Sequence, residues 1–347
     1  MRTAPALTIT DPVYDPNNKV GGISKFFASL LNEPRNVPFI YLMIVIMSTT
    51  LPWAVLLFIP GMFQWWFAAP YFLFNAVFLM GPFILMQHNA AHKMLFKRKY
   101  RLLNNLIPWV LGPFFGLTPE TYFAHHIGMH HPENNLPPDL SSTMKSQRDS
   151  FWDFIKYFLQ FFFFVIPELS VYLKQKKRKR ILRKMIAGEA SYLLFVLILI
   201  FINWKAAVTV FVVPLVFTRF MMMAGNWAQH AFIDATAPEV SYRNSITCIN
   251  SGYNRKCWND GYHIGHHLYP WMHWTEMPAE FLRNIERYKA EDALVFRKLD
   301  YFVIWFLLMT KSYKVLSGFY VELNKEKPRS KEEIIALLKK RTKRIQE

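Results

Sequence analysis

The chain has 347 residues, of which 52% are hydrophobic and 17% aromatic, and it carries a formal net charge of +17. That apolar content excludes an ordinary soluble protein, and long uncharged runs exclude the nucleic-acid binder that the charge alone would suggest. Two cysteines, Cys248 and Cys257, without a C-x2-C pair exclude a disulfide framework, a zinc finger and a rubredoxin-like module.

Apolar runs flanked by Lys and Arg predict an integral membrane protein with its basic loops in the cytoplasm. Residues 1–36 read as a polar arm without the pattern of a signal peptide, so targeting is expected to rest with the first span. No charge interrupts Val37 to Pro60. At about 1.5 Å per residue such a run crosses a hydrocarbon layer of roughly 30 Å. Gly61 breaks the run, and Met62 to Gln87 forms a second, rich in Phe and Trp. His88 and His92 follow as an H-x3-H pair, and Lys93, Lys97, Arg98, Lys99 and Arg101 mark that side as cytoplasmic. Leu103 to Thr118 is short and broken by Pro108, Gly112 and Pro113, which reads as an interfacial or re-entrant piece.

A second histidine box holds His125, His126, His130 and His131. Phe151 to Leu169 carries Asp153, Lys156 and Glu168 among aromatics, the pattern of an in-plane helix. A basic run from Lys174 to Lys184 reads as a headgroup-facing segment. Two further spans are expected over residues 187–203 and 206–225. Arg219 lies near the inner end of the last. Two readings of it stand: it faces a polar interior on the helix face shared with Met223, Asn226 and His230, or it snorkels to headgroups. A polar loop leads to a third box, His263, His266 and His267, with His273 beyond it. Residues 326–347 read as a basic amphipathic tail in which Ser330 and Glu333 form a capping box, on a solvated or membrane-surface helix. The main domain is expected over residues 37–325. The fold class is therefore all-α integral membrane: four transmembrane helices in two hairpins, with a cytosolic helical cap. His boxes and both termini are expected in the cytoplasm, at a bacterial inner membrane or the endoplasmic reticulum.

Ten of the eleven histidines lie in or beside these boxes, and the eleventh is His230, at the end of Asn226-Trp227-Ala228-Gln229-His230. H-x3-H on a helix sets two imidazoles on one face, and imidazole suits Fe, Cu, Ni or Zn. A zinc site takes about four protein ligands at most, so this set exceeds one zinc and suits a histidine-rich, non-haem di-iron centre that activates O2. Asp139, Asp234 and Asp260 lie close enough in sequence to orient imidazoles.

From about Val37 to Met277 the chain resembles the membrane fatty acid desaturase/hydroxylase superfamily, whose members carry three histidine boxes on a four-span scaffold. His88-x3-His92 is similar to its first box, His126-x3-His130-His131 to its second and His263-x2-His266-His267 to its third. Asn226-x3-His230 resembles an element of acyl desaturases in which the His is a ligand and the Asn holds a metal-bound water. The resemblance implies two Fe ions held by His88, His92, His126, His130, His131, His230, His263, His266 and His267. Asn226, His125, His273 and Arg219 would support them, with no catalytic side chain beyond the metal site. It further implies a lipid acyl substrate and electrons from a separate donor of cytochrome b5 or ferredoxin type. No His-Pro-Gly-Gly motif marks a fused cytochrome b5.

The first box lacks an acidic residue after its first His. The second has three residues between His126 and His130, a spacing shared with alkane monooxygenases. Desaturation and hydroxylation of a lipid or alkane both remain open on these grounds. A membrane metal transporter or sensor is the reading from another class. It would place ligands along the spans, whereas these boxes cluster at one face.

Overall fold

The structure is a computed structural model and describes residues 7–15 and 21–345. Among the described residues, four helical segments are long and apolar enough to cross a membrane: Pro34–Phe58, Trp65–His92, Phe151–Gln175 and Lys179–Gln229. They differ from expectation in two ways. The third and fourth expected spans belong to one run of 51 residues, interrupted at Asn203, whose backbone (φ −156°, ψ 94°) leaves the helix. Phe151–Gln175 is a continuous 25-residue helix, longer than the in-plane piece expected to end at Leu169. Its charges do not shorten it: Asp153 lies in the first turn and pairs with Arg344, and Glu168 accepts from the Gln160 amide.

The chain divides into two compact units. One comprises residues 15–129 and 169–220. Here Val37–Phe58 starts behind Glu33, whose carboxylate caps the Arg35 N–H. The next long helix bulges into a π-turn at Asn75–Leu79. Asn75 is buried there, accepts from the Thr50 hydroxyl at 2.6 Å and donates to the Tyr71 carbonyl. In an apolar bundle such a pair satisfies both groups and fixes helix register. Small residues Ala54, Ala68 and Ala206 pack with Leu57, Tyr71, Tyr192 and Phe211 in one core, where small side chains let backbones approach. Outward residues Ile44, Met47, Val55 and Phe201 are exposed, as lipid-facing positions are. The stretch after Lys97 is broken into short helical turns, Arg98–Asn105, Leu106–Leu111 and Gly112–Phe115, where the breakers predict. The loop that follows is pinned to Lys179–Ala207: Glu189 accepts from Thr118 and from Thr121, and a Cβ on Gly188 would lie 2.0 Å from the Pro119 carbonyl oxygen.

The other unit comprises residues 7–14, 130–168 and 221–345 of the described chain. It holds two short strands that the all-helical expectation did not include. Ile246–Ile249 pairs in parallel with Leu294–Arg297, Ile246 opposite Leu294. Their crossover carries the helices His263–Leu268, Met277–Arg283 and Ile285–Ala290. Tyr262, Ile264, Phe281, Tyr288 and Val295 form the core between them. The polar arm contributes here: Asp11 is buried and accepts from the Tyr262 hydroxyl at 2.6 Å and the Asn250 N–H.

The C-terminal helix Lys331–Arg341 has its expected capping box at Ser330 and Glu333. It is not a free solvated helix. Leu338 and Arg341 are buried, Arg341 pairs with Asp292 and Asp234, and its carbonyl accepts from the Ile233 N–H. The apolar face of Ile334, Ile335, Leu337 and Leu338 is legible in the sequence, but four basic residues in five, from Lys339 to Lys343, masked the burial of Leu338 and Arg341. Arg148 lies at the same junction, fully buried, and donates to the carbonyls of Thr143, Met144, Ser146, Ala231, Arg341 and Lys343.

Candidate metal centre

In the second-described unit, His130, His230, His263 and His267 bring one ring nitrogen each to within 4.8 Å of one another. They arrive from three local devices. His130 follows the second box's helical turn, and His230 directly follows the long helix ending at Gln229. His263 and His267 lie one turn apart on His263–Leu268. That short helix is held against strand Ile246–Ile249: the Cys248 N–H donates to the Gly261 carbonyl, and a Cβ on Gly261 would come within 2.4 Å of that strand's Cys248 oxygen.

The outer ring nitrogens determine the inner ones. His130 Nδ1 lies 2.7 Å from the fully buried Asp139 carboxylate, so it carries the proton and donates. His230 Nδ1 lies 3.0 Å from the Asn244 carbonyl, again an acceptor. Both rings therefore turn an unprotonated Nε2 inward. His263 Nε2 lies 3.2 Å from that of His230 and 3.0 Å from that of His267. An imidazole nitrogen donates or accepts but does not do both, so three nitrogens in a row cannot all be satisfied by each other. Converging lone pairs at this spacing are what a cation binds, and the donor set fits a transition metal that favours imidazole. Burial, reinforced by His130, holds His230 down to about 4. Burial and its neighbours His263 and His131 push His267 well below the usual histidine value. Both stay neutral and ligand-competent near pH 7.

The same unit sets His131 Nε2 2.9 Å from His266 Nε2. The other unit groups His88, His92 and His126: ring centroids lie 4.5–5.2 Å apart, and His92 Nε2 is 3.1 Å from His126 Nε2. All nine histidines proposed as ligands thus lie in histidine groups. His125 and His273 belong to none of these groups. His273 instead caps Trp274–Glu276, its Nδ1 accepting from the Thr275 N–H. Asn226 uses its amide to donate to the Ser141 carbonyl at 2.9 Å and the Tyr157 hydroxyl at 2.7 Å, tying helix end to loop. Arg219 lies 3.8 Å from the Glu189 carboxylate, so its charge is met by a residue the sequence did not single out. Of the three aspartates considered, Asp139 orients a histidine, whereas Asp234 pairs with Arg341 and Asp260 accepts from Tyr253 and Gln229. Sequence reasoning missed Asn244, Ser141 and Ser245, the last 3.3 Å from His230 Nδ1. They are common polar loop residues without a signature. Only their position after a box could have drawn attention to them.

Fold and site together define a helical protein with membrane-length helices and clustered histidine sites suited to metal. Residues 63–299 match the family model described as fatty acid desaturase, and the chain belongs to that family. Comparisons with curated proteins and with solved structures give no match.

Proposed function

We propose that this chain is an O2-dependent di-iron fatty acid desaturase that acts on a lipid acyl chain. The observation that supports it most is the four-histidine group with two Nδ1 protons fixed by Asp139 and the Asn244 carbonyl. Nine imidazoles exceed the coordination of one ion, so two irons are assigned to His88, His92, His126, His130, His131, His230, His263, His266 and His267. Bound iron supplies the O2 activation that removal of hydrogen from an unactivated carbon requires. The reaction consumes O2, two electrons and two protons, removes two hydrogens from adjacent carbons and releases two waters. With its amide tied to Ser141 and Tyr157, Asn226 would offer its Oδ1 as a hydrogen-bond acceptor to a water held by the metal. Electrons come from a separate carrier of cytochrome b5 or ferredoxin type. The histidine boxes and termini face the cytoplasm, where such a carrier is found.

Hydroxylation of a lipid or alkane is the second reading, favoured by the three residues between His126 and His130. It uses the same O2 and electrons, inserts one oxygen and releases one water. Expression in a desaturase-deficient host with isotopically labelled fatty acid separates the two by mass spectrometry of the lipids. A new double bond is expected. A hydroxylated product without one refutes desaturation, and iron-free protein with full activity refutes both.

A further inference from the structure

Away from the histidines, four cations converge on one cavity. Lys311, Lys339, Lys343 and Arg344, with Gln147, Asp149 and Tyr313, line a space of about 550 Å³, all within one unit. The lone carboxylate is already engaged: Asp149 accepts from the Tyr313 hydroxyl at 2.9 Å and from the Gln147 amide. Arg344 pairs with Asp153, and Lys339 lies 5.6 Å from the Tyr313 ring. Lys311 and Lys343 have no carboxylate within ion-pair reach among the described residues. The backbone that presents them is fixed, because the buried Arg148 guanidinium holds the Lys343 carbonyl and its N–H donates to Thr342.

Besides the C-terminal helix that carries Lys339, the cavity's walls include the ends of two apolar helices. Asp149 stands two residues before Phe151–Gln175, which opens on exposed Phe151 and Trp152. Lys311 stands two residues after Tyr301–Met309, whose Phe302, Val303 and Phe306 are exposed. Where apolar faces give way to lysines, the boundary between acyl chains and headgroups is expected. A soluble anion would meet only the lysines, whereas a lipid at that boundary sets its phosphate against the lysines and its acyl chains against those rings.

We propose that this cavity binds the phosphate of an anionic phospholipid headgroup, with Lys311, Lys339 and Lys343 as its cations. This lipid is a bound component and not the reactant, so the site stands apart from the desaturase reading. The test uses full-length protein in phosphatidylcholine nanodiscs, with and without phosphatidylglycerol. Retained phosphatidylglycerol is counted by native mass spectrometry and its affinity read from thermal shift. The triple variant Lys311→Ala, Lys339→Ala, Lys343→Ala is expected to lose about a hundredfold in affinity, at roughly 1 kcal/mol per lysine. A control that removes three exposed cations away from the cavity and from the basic run 174–184, Arg255→Ala, Lys256→Ala, Arg297→Ala, is expected to retain the lipid. The single Lys343→Glu, at an exposed position, is expected to weaken it with an unchanged fold. Equal loss in cavity and control variants, or loss in neither, overturns the proposal. Inorganic phosphate titrated into the phosphatidylcholine sample is expected to give no shift, and a shift equal to that from phosphatidylglycerol overturns the lipid assignment in favour of a phosphate ion.

Discussion

Asp139→Asn tests whether the tautomer of His130 prepares the four-histidine group. The carboxylate has four donors aimed at it: His130 Nδ1 at 2.7 Å, the Asn135 N–H at 3.0 Å, the Ser141 N–H at 2.8 Å and the Ser141 hydroxyl at 2.7 Å. An amide keeps the shape but turns one oxygen into a donor. If the NH2 replaces the oxygen facing His130, His130 must accept at Nδ1, which moves its proton to Nε2 and removes an inward lone pair. If it faces Ser141, the hydroxyl can turn but the backbone N–H cannot. Either way one buried N–H loses its acceptor, at about 1–3 kcal/mol. Loss of an orienting carboxylate lowers metal affinity by about 10–100-fold, or roughly 1.4–2.7 kcal/mol. Iron content at limiting iron, measured by plasma mass spectrometry, and competition with a chelator read the second quantity, and thermal unfolding of metal-free protein reads the first. A variant with wild-type iron affinity and wild-type stability would refute the argument that Asp139 sets the His130 proton.

His267→Ala removes one imidazole of the same group and is expected to abolish turnover and cut bound iron while membrane insertion persists, as fractionation and iron assay would show. Metal-free protein should lose stability as pH falls, because burial holds folded His230 at about 4 against 6.5 when unfolded. The unfolded chain then takes up the proton first, so stability is full above about pH 6.5 and declines toward pH 4; a melting temperature flat across that window would contradict it. Gly188→Ala would press a methyl into the Pro119 carbonyl and is expected to lower stability by about 2–3 kcal/mol, seen as a lower melting temperature. An unchanged melting temperature would show that the 116–121 loop does not rest on this helix.

The sequence exposed chemistry better than it exposed support. Histidines betray themselves because one-turn spacing repeated in three boxes is improbable without a shared purpose, and the structure does gather all nine into histidine groups. Their orienting partners were legible only where the type is unusual near a box, as for Asp139. Asn244 acts largely through its main-chain carbonyl, which any residue owns, so no side-chain pattern could mark it. The helices followed from uncharged length, but their ends did not: His88 and His92 lie within Trp65–His92 because a helix continues past its apolar stretch wherever neighbours satisfy its polar residues. Ile246–Ile249 and Leu294–Arg297 are strands of only four residues, Ile-Thr-Cys-Ile and Leu-Val-Phe-Arg, too short for periodicity to separate strand from helix. Arg219 was read from its own helix face, whereas its charge is answered by Glu189 on another helix.

The clustered histidines here sit largely at helix ends and in short helical turns, where backbone is mobile unless something fixes it. Arg148 provides that fixing. Its guanidinium spends its five N–H donors on six carbonyls from three separate segments, including Ala231, the residue after His230. Burial pulls it down to about 10, so it keeps its charge at neutral pH and its hydrogen bonds remain charge-assisted. A carboxylate partner would have satisfied the charge locally. Carbonyls satisfy it by drawing the loop after the second box, the turn after His230 and the C-terminal helix onto one cation. The same device that keeps Thr143 bonded to the His230 carbonyl at 2.7 Å thereby positions the C-terminal basic residues beside the cavity. Histidine geometry and the basic cavity are thus coupled through a single buried side chain, which explains why a helix with no histidine is built into the unit that holds the four-histidine group.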